Sequence, residues 1–196
     1  MRKFVFKVIL KDTKPLIWRK FEVRDNISFY KFHELIQIIM GWESYQLFKF
    51  ESPDSIINGE NDEDYDEKKL LNSRKIKIKD YFTSIGKKIE YVYDFSDYWE
   101  HDIVLENIIE SKDSHTICQE GERACPPEDC GGTIEFEDCL LAYKLKKEGK
   151  KSLANHILMD ETYVESLEEI SDWIGDWNPE VFDKNSVNTL LIEKKI

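Results

Sequence analysis

Residues 4–42 read FVFKVILKDTKPLIWRKFEVRDNISFYKFHELIQIIMGW, and the change of hydrophobic period along them sets the fold class. Phe4, Phe6, Val8 and Leu10 alternate with Val5, Lys7 and Ile9, the spacing of a strand with one strongly buried face. A polar turn, Lys11–Pro15, leads to a second strand, Leu16–Val23, in which Ile17, Phe21 and Val23 share a face with Arg19 among them. The two read as a hairpin, with Pro15 where a ladder donor is not missed. From Ser28 the period lengthens to that of a helix. Phe29, Phe32, Leu35, Ile36 and Ile39 share one face, Ser28 can cap the start, and Gly41 can close the end. Tyr45–Glu51 then returns to strand character, giving a β-β-α-β opening.

Working outward, Arg74–Lys79 is a short alternating segment and Asp80–Ile85 reads as a helical turn. Lys88–Phe95 and His101–Ile109 read as two further strands. Ser111–Thr133 is loop-like. Beyond it Phe136, Cys139, Leu140 and Tyr143 define one helical face, and Val164, Leu167, Ile170 and Ile174 another. The expectation is an α+β chain forming a single domain over 1–196. It comprises a part of mostly sheet plus one helix (1–110), a Cys/Pro/Gly loop (111–134) and a mostly helical part (135–196). Its sheet is antiparallel or mixed, of about five strands (3–11, 16–23, 45–51, 88–95 and 101–109), with helix 28–40 covering one face and a C-terminal helical layer.

Thirteen per cent aromatic residues argue against disorder, and 196 residues suffice for a substantial core. The formal net charge of -12 argues against duplex nucleic acid, which is held through phosphates by a basic patch, and against an anionic membrane surface. No stretch is apolar enough to cross a bilayer. Lys7 interrupts the apolar run at the start, so a signal peptide is not expected and the cytoplasm is the expected location. In that compartment the four cysteines are expected to be thiols or metal ligands rather than disulfides. Asp62, Asp64 and Asp66 imitate the first ligands of a calcium loop. Glu67 at the glycine position and Ser73 at the closing glutamate position defeat that reading, leaving a solvated acidic loop.

Five segments resemble, in order, those of the plasmid pRiA4b ORF-3-like family. They are KPLIWRKFEV (Lys14–Val23), the helix from Phe29 through His33 to Met40 followed by Gly41–Trp42, YVYDFSDYWEHDIVLE (Tyr91–Glu106), CPPEDCGG (Cys125–Gly132) and NPEVFDKNSVN (Asn178–Asn188). Ser96 departs from the family's usual glycine. The resemblance implies an α+β fold and an association with plasmids and mobile elements, and it implies no established activity.

Two of these segments concentrate chemistry. A four-residue turn at Ser96–Trp99 would pair Asp94 with His101 across the hairpin, with Asp97, Trp99, Glu100 and Asp102 nearby. Such a tip can bind a metal or do acid–base work, although Asp94 and Asp97 also suit plain turn hydrogen bonds. In CPPEDCGG the prolines stiffen a corner where Glu128 and Asp129 can accept backbone N–H bonds or face His101. Cys118, Cys125 and Cys130 with His101 would make a Cys3His zinc site. Cys139 is a poorer ligand because it lies in an apolar helix face.

No nucleophile elbow, H-E-x-x-H helix or dinucleotide fingerprint is present. The favoured reading is therefore a non-enzymatic binding or interaction module for a protein or small-molecule partner, with no cofactor expected and a role in plasmid or mobile-element maintenance. It predicts a surface groove or aromatic patch. The alternatives are a zinc-dependent protein or enzyme built on the His101 cluster, and a nucleic-acid-binding protein.

Overall fold

The structure, a computed structural model, describes residues 1–58, 68–149 and 161–195. Among the described residues eight strands form one mixed sheet: β1 (Arg2–Leu10), β2 (Ile17–Arg24), β3 (Phe48–Glu51), β4 (Ser55–Asn58), β5 (Lys69–Asn72), β6 (Lys88–Tyr93), β7 (Trp99–Glu110) and β8 (Ile117–Glu122). Their order is β5-β4-β3-β6-β7-β1-β2-β8, and only β4 and β5 run parallel. The helices among the described residues are α1 (Phe29–Met40), α2 (Ile78–Tyr81), α3 (Gly132–Glu148), α4 (Glu161–Trp173) and α5 (Lys184–Glu193).

The class is α+β, but a sheet of about five strands under one covering helix is corrected to eight strands with five described helices. The missed strands β4, β5 and β8 are only four to six residues long. β8 (ICQEGE) is mostly polar and falls inside 111–134, the segment expected to be loop. It is a strand because β2 supplies its ladder, from Trp18↔Glu122 to Glu22↔Ile117. Its outer edge is closed by α5. The Asn188 amide accepts from the Cys118 N–H at 2.8 Å and donates to the Cys118 carbonyl at 3.0 Å, as a neighbouring strand would. The third strand of the opening starts at Phe48 rather than residue 45, and the short helix at Ile78–Tyr81 begins earlier than residue 80. The acidic run with Asp62, Asp64, Asp66 and Glu67 lies outside the described residues; Ser73 is buried.

The opening folds as its periodicity requires. β1 and β2 pair from Lys3↔Arg24 to Leu10↔Ile17. In α1 the Ser28 hydroxyl accepts from the Lys31 N–H, and Gly41 closes the helix at φ 101°, a conformation that suits glycine. Phe29, Phe32, Leu35, Ile36 and Ile39 are fully buried, Phe32 lying 4.8 Å from Phe6 and 5.8 Å from Phe50 between ring centroids. Each such ring contributes about 1.5–3 kcal/mol through burial. His33 and Gln37, four residues apart on α1, are buried too, so the helix lays a polar notch as well as an apolar stripe against the sheet.

Candidate functional site

The β6–β7 hairpin aligns Tyr91↔His101, Val92↔Glu100 and Tyr93↔Trp99, so its connection is the five-residue loop 94–98. The expected pairing of Asp94 with His101 is therefore corrected. The slip is three residues, an odd number, which moves His101 from the face of Asp94 to the inner face of Tyr91. Asp94 instead builds the turn. It takes φ 57°, and its carboxylate accepts from the Ser96 N–H at 2.8 Å and the Asp97 N–H at 3.3 Å. Its own N–H donates to the Leu47 carbonyl at 2.9 Å.

Trp99 and His101 point into the core and are fully buried. Trp99 meets Phe136 of α3 edge-on. His101 gives its Nδ1 proton to the Tyr91 carbonyl at 3.2 Å and lies edge-on to Trp42 at 5.4 Å. Burial lowers its pKa to about 4. A second imidazole, His33, stacks on Phe48 at 3.6 Å. Gln37 Nε2 donates to the Tyr91 oxygen at 2.9 Å, the Tyr91 hydroxyl donates to His33 Nδ1 at 2.7 Å, and His33 Nε2 donates to Ser44 Oγ at 2.8 Å. That chain satisfies both ring nitrogens of a neutral His33, and burial lowers the His33 pKa to about 3.

CPPEDCGG closes over this end of the sheet. Trp42, stacked on Tyr93 at 5.1 Å, donates its indole N–H to the Pro126 carbonyl at 3.1 Å. Glu128 accepts from the Tyr93 hydroxyl and, at 3.0 Å, from the Glu43 N–H. Burial, with Asp129 and Glu43 nearby, holds its carboxyl above the usual range. Asp129 accepts from the Tyr45 hydroxyl and from Gln46 Nε2 at 3.0 Å. The hydrogen bond to Asp129 raises the Tyr45 pKa, while burial and Glu128 raise that of Tyr93, so both phenols stay protonated donors. Asp97 accepts the Gly131 N–H at 2.9 Å, which ties the corner to the hairpin tip. Asp97, Glu128 and Asp129 thus share one surface, while Asp94, Trp99 and His101 support it from behind.

The cysteines do not converge. Cys118 lies on β8, 3.7 Å from the Lys20 carbonyl; Cys125 Sγ lies 3.5 Å from Arg19 Nη2; Cys130 hydrogen-bonds Cys139. Burial pushes the Cys118 and Cys125 thiols up to about 11. Among the described residues no group of three or more His, Cys, Asp or Glu side chains stands together so as to hold an ion. The Cys3His set of Cys118, Cys125, Cys130 and His101 is therefore not assembled.

Sequence reasoning missed Glu43, Tyr45, Gln46 and Tyr93, which hold the two corner carboxylates. The legible signal was two tyrosines and an amide flanking GW and YVYDF without a core role for all of them. Around these groups Tyr45, Leu47, Tyr98 and Ile134 are exposed. The result is an aromatic and aliphatic patch ringed by carboxylates.

Gly132 fixes the corner against the tip. It sits at φ 89°, and a Cβ there would stand 2.8 Å from the Asp97 carbonyl oxygen. Gly132→Ala is expected to cost about 2–3 kcal/mol, from left-handed strain plus a backbone clash. Amide exchange should quicken at Gly131 and at 94–98 while that of β1 stays slow; unchanged exchange at Gly131 would show that the corner does not depend on this contact.

An α+β sheet closed at one end by a hydrogen-bonded carboxylate corner is the class of protein these observations define. The family model for plasmid pRiA4b ORF-3-like protein matches residues 2–186, and the chain belongs to that family. It is 30% identical over 134 residues to the uncharacterized protein y4hQ of Sinorhizobium fredii, covering 67% of this chain and 68% of that protein. It is also similar to the crystal structure of a protein of unknown function, MM3350, from Methanosarcina mazei Go1. The TM-score is 0.74 and the identity 31%, over 94% of this chain and 97% of the other. No helix among the described residues is long and apolar enough to cross a membrane.

Proposed function

We propose that the chain is a non-enzymatic interaction module whose binding face is the acidic, aromatic end formed by residues 43–47, the hairpin tip 94–98 and the corner 128–131. The observation that carries this reading is the way Glu128 and Asp129 are held. Tyr93, Glu43, Tyr45 and Gln46 fix both carboxylates, so the negative groups are presented rigidly beside exposed Tyr98 and Leu47. Rigid carboxylates with exposed aromatic rings suit a basic segment of a partner protein, through charge complementarity and cation–π contact. The two imidazoles near this end are buried and neutral, which favours a supporting role over proton transfer at the surface. The family's plasmid association supports a role in the maintenance of a mobile element, with the cytoplasm as its place of action.

The test is an amide chemical-shift titration of the full chain with oligolysine at low salt. The shifts should concentrate at 43–47, 94–98 and 128–131, weaken with salt, and fall about tenfold in affinity in the double variant Asp97→Asn, Asp129→Asn. Shifts spread evenly over the surface, or none, would overturn the reading. Retention of the chain on duplex DNA in parallel would favour the nucleic-acid alternative.

A further inference from the structure

A second feature lies on the other side of the CPPEDCGG corner. An open cavity of about 240 Å³ is lined by the end of α1, the corner and the segment before α5. It therefore joins four of the five segments that carry the family resemblance: Arg19 from the first, Ile39–Gly41 from the second, Cys125–Glu128 from the fourth, and Val181–Asp183 and Val187 from the fifth.

Its walls are held in place. Trp177 donates its indole N–H to the Cys125 carbonyl at 2.9 Å, and Trp42 grips the next carbonyl, that of Pro126. The Phe182 ring lies 3.9 Å from the Arg19 guanidinium carbon. Behind it Gly121 leaves no room for a side chain, since a Cβ would meet Phe182 at 2.6 Å. The cavity is thus formed before anything enters it.

Its chemistry disfavours an anion. The five N–H groups of Arg19 are engaged: Nε with the Ile39 carbonyl, Nη1 with the Trp18 and Glu122 carbonyls, and Nη2 with the Arg123 carbonyl and Cys125 Sγ. Two other lining groups, Glu128 and Asp183, are carboxylates. Asp183 already accepts from Asn185, Ser186 N–H and the Ser186 hydroxyl as the cap of α5. Among the lining side chains only the Cys125 thiol keeps a proton not given to a neighbour, and the wall also includes Ile39, Met40, Pro126, Pro127, Trp177 and Val181. The volume falls below the roughly 300–1,000 Å³ of pockets for drug-sized ligands. It suits a single ring.

We propose that this cavity anchors one aromatic side chain of a basic partner segment. The inference rests on the acidic-face reading and deepens it. Glu128 belongs to both places: its oxygens hold Tyr93 and Glu43 on one side, and it lines the cavity on the other. A segment lying across the corner therefore meets Asp129 and Asp97 with its cationic residues and the cavity with its ring. A buried ring at the centre and charges around it is the arrangement that concentrates binding energy in a few residues.

The cavity is tested without the segment by titrating the full chain with indole, followed by methyl shifts of Ile39, Met40 and Val187. Saturable shifts confined to these methyls are expected. Non-saturating shifts, or shifts elsewhere, would overturn the site whatever the fate of the acidic face. The anchor role is tested by comparing an oligolysine peptide bearing a central tryptophan with one bearing alanine. The tryptophan peptide should bind about tenfold more tightly. Val181 is half exposed at the mouth, so Val181→Trp should leave the fold intact, remove that tenfold gain, and leave the oligolysine shifts at 94–98 and 128–131 unchanged. Equal affinity of the two peptides would overturn the anchor role. Loss of oligolysine shifts with indole still bound would instead remove the acidic face, and with it the partner.

Discussion

Arg19→Met is expected to lower the unfolding free energy by about 3–5 kcal/mol, because several buried carbonyls lose their donor at once. Arg19 sits on β2 with 1% of its surface exposed. Among the described residues it has no carboxylate partner; four carbonyls and a thiol hold it instead. Those carbonyls come from Trp18, Ile39, Glu122 and Arg123, so one side chain joins β2, the end of α1 and the chain leaving β8. Methionine fills the space but leaves the carbonyls without their donor, and each buried polar group so orphaned costs about 1–3 kcal/mol. Arg19→Lys keeps the charge yet offers fewer donors and no planar fork, so it should recover less than half of the loss. Urea unfolding with unchanged m-value is the measurement. A loss under about 1 kcal/mol for Arg19→Met would show that the carbonyls are satisfied otherwise, and the rigid cavity wall above Arg19 would lose its support.

What the sequence disclosed divides by the range of the forces involved. The opening was legible because local period, cap and C-terminal glycine all agree: Phe4 to Leu10 alternate, Phe29 to Ile39 keep helical spacing, and Ser28 and Gly41 do what those residue types do at helix ends. β8 was not legible, since Gln119, Glu120 and Glu122 carry no strand signal and only the ladder from β2 makes it a strand. The hairpin tip failed for a smaller reason. Loop 94–98 is one residue longer than the assumed turn and begins two residues earlier, which slips the register by three, and nothing short-range distinguishes the two registers. The candidate site was partly legible. That CPPEDCGG makes a stiff corner followed from its prolines and glycines; the Gly131–Asp97 contact that sets it against the hairpin tip did not. That Glu128 and Asp129 face tyrosines rather than His101 depends on loop 43–46, whose path no local pattern sets.

Acid is expected to weaken the fold well above the pH at which ordinary carboxylates are protonated. His33 and His101 are buried and hydrogen-bonded as neutral rings, with folded pKa values of about 3 and about 4 against a usual value near 6.5. Both are lowered, and the sign follows directly. Above pH 6.5 neither the folded nor the unfolded chain holds the extra protons, and stability is complete. Below it the unfolded chain takes up two protons that the folded chain refuses, so stability falls by about 1.4 kcal/mol per pH unit for each histidine. The loss stops only where the folded rings titrate, near pH 4 for His101 and near pH 3 for His33. Between pH 6.5 and 5 the two together remove about 4 kcal/mol, a large part of the stability of a typical domain. Glu128 acts in the opposite direction, because its raised carboxyl pKa favours the folded state as acid protonates it, but it is one group against two imidazoles. The upper part of the acid limb therefore reports the imidazoles. Urea midpoints measured from pH 7.5 to 5 should decline steadily, and His101→Gln should halve the slope whatever it does to the stability at pH 7.5. A flat limb over this range, or an imidazole resonance of His33 titrating near 6.5 in the folded chain, would mean that the ring is reached by water and that the polar notch of α1 is open rather than sealed.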